Sequence, residues 1–386
     1  MRIGFFTDSY HPYTSGVVRS LEIFQEELRC RGHQVYIFAP NYPDCPPEED
    51  VFRFFSIPAV TQKNFTLAVP LSPTLSRRVK SLELDIVHVH SPFLLGSVGA
   101  RWARRLGLPL VFTYHTRYEE YVHYFPFFPQ VSRPVVRYYV RDFSNRCNLV
   151  VAPSGSMAEK LQGDGVRSPV TVVPTGIRYA RLQGGEPGWL RHRYGIPEGV
   201  PVLLYVGRLA REKNLEFLLE AFQQILRQEP ECRLVMVGSG PAREELVRRA
   251  ARLGVAGRLV FTGVLPPPEV ANCYQGADLF LFASLTETQG LVLVEAMAAG
   301  LPVVAVQAGG VTDVLQDGRQ GFISQEKVQD LAAKALLLLR DPELRRQMGA
   351  RARERAQEFT AERCTDRLLA AYNLVLTQET RFSRAG

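Results

Sequence analysis

The sequence has little that would anchor, cross-link or export it. No apolar run in its 386 residues approaches the roughly 20 needed to cross a bilayer. The cysteines (Cys30, Cys45, Cys147, Cys232, Cys273, Cys364) include no C-x-x-C pair, which argues against a zinc or disulfide framework and fits a reducing cytoplasm. The opening MRIGFFTDSY lacks the basic region and long apolar core of a secretion signal and reads at once as a buried strand. No Asp-x-Asp pair is present to hold a divalent ion, so no metal is expected. No G-x-G-x-x-G follows the first strand, which argues against a dinucleotide oxidoreductase.

What is present is a large apolar fraction, 46%, in a chain longer than one core usually organises, so two domains are expected. RIGFFTD reads as a strand, SGVVRSLEIFQEELRCRGH as an amphipathic helix ending at Gly32, and QVYIFAP as a second strand. Further strands are expected at DIVHVH, LPLVFTYH, LVVAPS and VTVVPTG. The βα rhythm restarts at VPVLLYVGRL and runs through CRLVMVGSG, RLVFTGVL and ADLFLFAS. This predicts an α/β chain with two parallel, helix-covered sheets. The boundaries expected are 1–176 and 177–360, with a linker around or just before the Gly-, Pro- and Arg-rich stretch 178–201. The run from about Ala361 is one more amphipathic helix.

Net charge is +7, but it is unevenly spread. Residues 51–150 hold 13 Lys/Arg against 5 Asp/Glu, a net of +8, whereas residues 1–50 hold 4 against 8. Within the basic region, Arg101, Arg104 and Arg105, and then Arg133, Arg137 and Arg141, interleave with apolar and aromatic residues at nearly helical spacing. That is the pattern of an interface with anionic lipid, and equally of a solvated helix face turned outward from a core. The loop 121–129 adds Tyr121, Phe125, Phe127 and Phe128 as rings able to dip into such an interface. No nucleic-acid motif accompanies the charge.

Ligands of parallel sheets sit beyond the carboxyl ends of the strands, so a cleft between two such domains is the expected site. After the first strand, Ser15-Gly16 opens a helix whose N–H groups suit an anion. After YVG, Arg208 and Lys213 supply two cations, enough with a helix N-terminus to neutralise a diphosphate. As isolated surface groups they would simply pair with Glu212 or Glu216. In TETQGLVLVEAMAAG, Glu287 stands in a loop and Glu295 inside a helix opened by Gly290, Leu291 and Val292 and stopped by Gly300. A carboxylate in the helix can grip a vicinal diol, one in the loop can hold hydroxyls of a second sugar, and the helix N–H groups can face negative charge between them. On that reading the spacing measures a nucleotide sugar; read structurally, Glu287 is a partner of the helix dipole and Glu295 a surface residue.

The E-x7-E of Glu287 and Glu295, the G-R-x4-K of Gly207, Arg208 and Lys213, SGVV, GHQVYIFAP and ADLFLFAS together resemble the retaining glycosyltransferases of family GT4 over essentially the whole chain. TETQGL and FTYHTRYEEYVHYFP are similar to the diacylglycerol glucosyltransferase branch. The resemblance implies a GT-B fold: two Rossmann-like domains facing each other across a cleft, the final helix (about 361–386) crossing back to the first. It implies that His115 bonds the donor sugar near its primary hydroxyl and that Arg208 and Lys213 stabilise the leaving diphosphate. It also implies that Glu287 contacts the sugar and Glu295 the ribose, and that Gly263 and Val264 receive the base. The Gly16 loop would touch the phosphates, with Ser15 where the family often has a second glycine. His88, His90 and His123 are read as structural imidazoles.

The expected reaction is transfer of a hexose, glucose from UDP-glucose, to a membrane lipid such as 1,2-diacylglycerol, with retention, no cofactor and front-face attack. The expected location is the cytoplasmic face of the cell membrane, held peripherally; oligomeric state is left open. The alternatives are a GDP-mannose enzyme acting on phosphatidylinositol or another acceptor, and a non-catalytic nucleotide- or lipid-binding protein.

Overall fold

The computed structural model describes residues 1–43, 45–59, 65–70, 73–120 and 133–383. The chain forms two compact units, Met1–Gly176 with Ala361–Gly386, and Ile177–Thr360.

The first unit is built on seven parallel strands: β1 (Arg2–Phe6), β2 (Gln34–Pro40), β3 (Val51–Phe54), β6 (Ile86–Val89), β7 (Leu110–Thr113), β8 (Leu149–Ala152) and β9 (Val170–Val172). Between β3 and β6, β4 (Ser56–Pro58) and β5 (Thr66–Ala68) pair as a small antiparallel ribbon. The inner strands β6, β7 and β8 are buried along their whole length, as continuous apolar runs require when helices cover both faces. Their order is β3-β2-β1-β6-β7-β8-β9. The chain therefore winds outward from β1 and returns to the other side of it, placing a topological switch point between β1 and β6.

The helix Gly16–Cys30 covers one face, packing Val18, Leu21, Phe24 and Leu28 against Ile3, Phe5 and Ile37. The closing helix Ala361–Ser383 joins this same core through Cys364, Leu368, Tyr372 and Val375. Arg31 ties the two helices further, donating to the Glu362 carbonyl at 3.0 Å and pairing with Asp366 at 3.2 Å.

The second unit holds six parallel strands: β10 (Val202–Val206), β11 (Arg233–Val237), β12 (Leu259–Gly263), β13 (Leu279–Phe282), β14 (Val303–Val306) and β15 (Gly321–Ser324), ordered β12-β11-β10-β13-β14-β15. Its switch point lies between β10 and β13. The helix Leu291–Ala299 has apolar residues on all sides, with Leu293 through Ala299 buried, which suits a helix enclosed on every face.

The Gly- and Pro-rich stretch 178–201 is not a loose connector. It folds as helices Tyr179–Gln183 and Pro187–Tyr194, whose Leu182 and Leu190 sit in the core beside Cys273 and Tyr274. Pro187 takes the first helical position and Gly195 the left-handed cap, so residues that resemble loop formers serve here as start and stop signals. All six cysteines are free thiols.

Candidate active site

In the second unit the chemistry gathers at the switch point. Strand β10 is followed by Gly207 and β11 by Gly238, and the two turns run in contact. Gly238 has φ of 128°, and a Cβ built there would lie 2.0 Å from the Gly207 carbonyl oxygen, so only glycine fits. The Gly207 N–H donates to the Val237 carbonyl at 2.9 Å and the Gly238 N–H to that of Gly263 at 2.8 Å, continuing the glycine margin onto β12. Beyond Gly263, the Val264 side chain is 74% exposed.

Arg208 and Lys213 leave the β10 end, and Glu287 stands in the loop after β13. The structure brings Lys213 and Glu287 together as a hydrogen-bonded ion pair, both partly buried. Arg208 is likewise paired with Glu212, the partner expected of an ordinary surface arginine. The two cations are thus held in place by carboxylates of their own unit. An ammonium has three N–H donors and a guanidinium five, more than a single carboxylate contact takes up. Beneath them the Tyr205 hydroxyl donates to the Arg208 carbonyl at 3.1 Å. Burial, and then the charge of Glu287 and Glu212, push the Tyr205 pKa far up, keeping it a neutral donor.

Glu295 is in a different setting. It is 1% exposed and accepts a hydrogen bond from the Tyr274 hydroxyl at 2.9 Å. Glu287 is therefore the open carboxylate of the pair and Glu295 the enclosed one. The helix between them starts after Gly290, in left-handed conformation at φ 73°, so the first N–H groups, from Leu291 and Val292, have no carbonyl one turn earlier within the helix. Sequence reasoning passed over Thr286, whose hydroxyl is buried with no hydrogen-bond partner among the described residues; its position next to Glu287 was the available signal.

In the first unit, Ser15 caps the helix Gly16–Cys30 by accepting from the Val18 N–H at 3.3 Å. A Cβ on Gly16 would meet nothing within 4 Å, so no packing contact inside the unit demands glycine there. His115 follows β7, and its Nε2 lies 2.9 Å from Nδ1 of His90. His88 is held on both ring nitrogens, at 2.6 Å from the Tyr372 hydroxyl and 2.6 Å from that of Thr113. Burial lowers the pKa of all three histidines, that of His115 to about 3, so the rings are neutral at pH 7. His88 is the structural imidazole expected; His90 is in contact with His115; His123 lies outside the described residues.

Asp8 is a second omission. Standing after β1, it accepts from the Ser91 hydroxyl at 2.5 Å and from the Leu95 N–H at 2.8 Å, bridging the switch point to the helix Leu94–Leu106. That helix has no side-chain cap of its own, and Asp8 supplies one from the neighbouring strand end. Burial raises the Asp8 pKa. A carboxylate at the strand end of GFFTD was the readable sign.

Of the basic residues, Arg101, Arg104 and Arg105 are exposed on Leu94–Leu106 without ion-pair partners among the described residues. The Arg105 guanidinium lies 5.6 Å over the ring of buried Trp102. With Arg77, Lys80 and Leu106 these two residues line a surface cavity of about 460 Å³, and Arg77 and Lys80 were not singled out from sequence. On the helix Arg133–Ser144, Arg133 pairs with Glu120 at 3.1 Å, Arg137 approaches Asp164 at 3.7 Å, and Arg141 lies over Tyr138. Val135 and Tyr138 on this helix are exposed. Tyr121, Phe125, Phe127 and Phe128 lie outside the described residues. No helix among the described residues is long and apolar enough to cross a membrane.

Two family descriptions match the chain: Glycosyltransferase Family 4 over residues 14–181 and Glycosyl transferases group 1 over residues 190–355. The alpha-monoglucosyldiacylglycerol synthase of Streptococcus pneumoniae is 37% identical over 312 residues, spanning 79% of this chain and 71% of that protein. A GDP-mannose-dependent alpha-mannosyltransferase of Mycobacterium tuberculosis is 32% identical over 335 residues, 84% of this chain and 83% of its own. Among solved structures, HepE of Anabaena in complex with UDP superposes with a TM-score of 0.79 at 22% identity, covering 97% of this chain and 100% of that one, a likeness of GT-B fold.

Proposed function

Because the chain belongs to the GT4 family of glycosyltransferases, we propose that it moves glucose from UDP-glucose to a membrane lipid such as 1,2-diacylglycerol, with retention of configuration and without a metal. The observation that carries this reading is the Lys213–Glu287 pair at the switch point of the second sheet, beside the glycine-lined ends of β10 and β11. The choice of sugar and acceptor leans on the synthase relative.

In this reading the bond between the anomeric carbon and the phosphate oxygen breaks, leaving positive charge on the sugar and added negative charge on the diphosphate. Lys213 and Arg208 face that negative charge; preorganised cations of this kind supply several kcal/mol to a transition state. Glu287 keeps the Lys213 ammonium aimed and takes sugar hydroxyls on its second oxygen. Glu295, oriented by Tyr274, holds the ribose. The N–H groups that open Leu291–Ala299 face the phosphates, and Ser15 and Gly16 open a second such helix end.

His115, with its pKa near 3, is too weak a base to take the acceptor's proton at pH 7. It serves instead as a neutral hydrogen-bonding group for the sugar's primary hydroxyl. The acceptor hydroxyl attacks the anomeric carbon from the face the phosphate leaves, and its proton passes to the departing phosphate oxygen. The exposed Arg101, Arg104 and Arg105 hold the first unit at an anionic bilayer, where the acceptor resides.

The test is incubation with UDP-glucose and GDP-mannose in turn, each with vesicles containing diacylglycerol or phosphatidylinositol, with and without EDTA. Released nucleotide and lipid product are identified by mass. Monoglucosyldiacylglycerol, formed equally with chelator, is the expected outcome. The mannosyltransferase relative supports a second reading, which mannosylated lipid from GDP-mannose would establish. Nucleotide binding without turnover in any arm would make the protein a sensor rather than an enzyme.

A further inference from the structure

His90 has no part in the reaction so far, yet it is among the most enclosed polar residues of the first unit, at 1% exposure. Its ring is packed against Phe5, with centroids 4.7 Å apart and planes inclined by 66°, and against His88 at 4.1 Å. His88 is itself clamped by Tyr372 from the closing helix and by Thr113 from β7. The His90 ring therefore has its orientation imposed from three sides, and among the described residues its side-chain hydrogen bond is with His115.

That contact has a defined geometry. The two nitrogens are 2.9 Å apart while the ring centroids are 5.2 Å apart, with planes inclined by only 23°. The rings meet edge to edge in nearly a common plane, which aligns an N–H on one with the lone pair of the other. Two neutral imidazoles can satisfy this contact in two ways, and they differ in what is left over. If His115 donates, His90 must carry its own proton on a bare N–H at Nε2, which is buried and has no partner among the described residues. If His90 donates from Nδ1, its Nε2 is left as a bare acceptor. Orphaned buried donors are rarer than under-satisfied acceptors in folded proteins, so the second arrangement is preferred.

We propose that His90 is a positioning residue whose Nδ1–H donates to Nε2 of His115, fixing the proton of His115 on Nδ1 and making that nitrogen a hydrogen-bond donor. A histidine's tautomer is set by the bond its other nitrogen makes. The role of the resulting Nδ1–H rests on the reading of His115 as a ligand of the donor sugar. A fixed donor can serve a sugar hydroxyl without sampling the wrong tautomer. The closing helix enters this chain of contacts through Tyr372 and His88.

The assignment is tested by nitrogen NMR of the full chain labelled at histidine, with the His115 signals identified by their loss in His115→Ala. Protonated Nδ1 and bare Nε2 on His115 are expected; a protonated Nε2 would overturn the proposal. In turnover, His90→Asn keeps an amide N–H close to the place of Nδ1 and should retain most of kcat, whereas His90→Phe should lose about tenfold or more, as misorientation of a site group does. Equal loss in both variants would also overturn it. Should His115→Ala turn over normally, the sugar-ligand role of His115 falls, while the NMR result still decides the His90 contact on its own.

Discussion

Lys213 and Glu287, 74 positions apart, form a hydrogen-bonded ion pair across the switch point of the second sheet, the lysine from the loop after β10 and the glutamate from the loop after β13. The pair aims an ammonium that would otherwise swing on four methylenes, and it makes the two residues act as a unit.

Lys213→Ala and Glu287→Gln should each lower kcat by about 10²- to 10³-fold, the range for removing a preorganised group that faces developing charge. Because the residues are in contact, the double variant should lose far less than the product of the single losses. Steady-state kinetics check this, with circular dichroism confirming the fold. Near-normal turnover in both single variants would remove the site.

Stability should fall as the medium is acidified below neutral. His88, His90 and His115 have folded-state pKa values below the ordinary 6.5, so the unfolded chain binds more protons than the folded one once pH drops under that value. Their contribution is complete above pH 6.5 and is lost from there downward, for His115 until pH approaches about 3. Each histidine gives a slope of up to about 1.4 kcal/mol per pH unit. Asp8, raised by burial, acts with the opposite sign from its ordinary value near 4 upward, so part of the histidine effect below pH 6.5 is offset. Urea unfolding over that range should show the decline, and His115→Gln should reduce its slope; an unchanged slope would mean His115 does not titrate on unfolding.

Gly238→Ala should destabilise the second unit by about 2–3 kcal/mol, since it combines a conformation L residues avoid with a clash against backbone that cannot rotate away. The added methyl would lie 2.0 Å from the Gly207 oxygen. The urea midpoint should drop and nucleotide affinity with it. Tolerance of alanine would show that the β10 and β11 turns part readily.

Replacing Arg101, Arg104 and Arg105 by glutamine should weaken sedimentation with anionic vesicles, by about 1 kcal/mol per residue at low salt. Arg77 and Lys80, which line the same cavity as Arg105, should add to the effect when changed. Added salt should mimic the substitutions. Indifference to lipid charge would remove the membrane interface while leaving the transferase standing.

Much of the fold was legible because local signals agreed. RIGFFTD, the Ser15-capped helix and QVYIFAP appear as β1, Gly16–Cys30 and β2, each with the burial that its apolar spacing demands. The stretch 178–201 misled because Pro187 and Gly195 punctuate helices as readily as loops, and composition alone does not separate the two uses. Arg208 illustrates a different limit. From sequence it was a cation free to meet a diphosphate, or one spent on Glu212, and the structure shows the second contact already made.

By itself the sequence determined which segments are strands, which helix faces turn inward, and hence that Ser15, Gly207, Arg208 and Glu287 stand at the carboxyl ends of strands. Only tertiary structure decided that Lys213 meets Glu287, that Asp8 caps a helix from the next strand, and that His90 bears on His115. The physical reason is that hydrophobic periodicity reports which face of an element is buried, through interactions a few residues long. Neighbours within a sheet are chosen by the long-range order of the strands, which in each unit doubles back across its first strand.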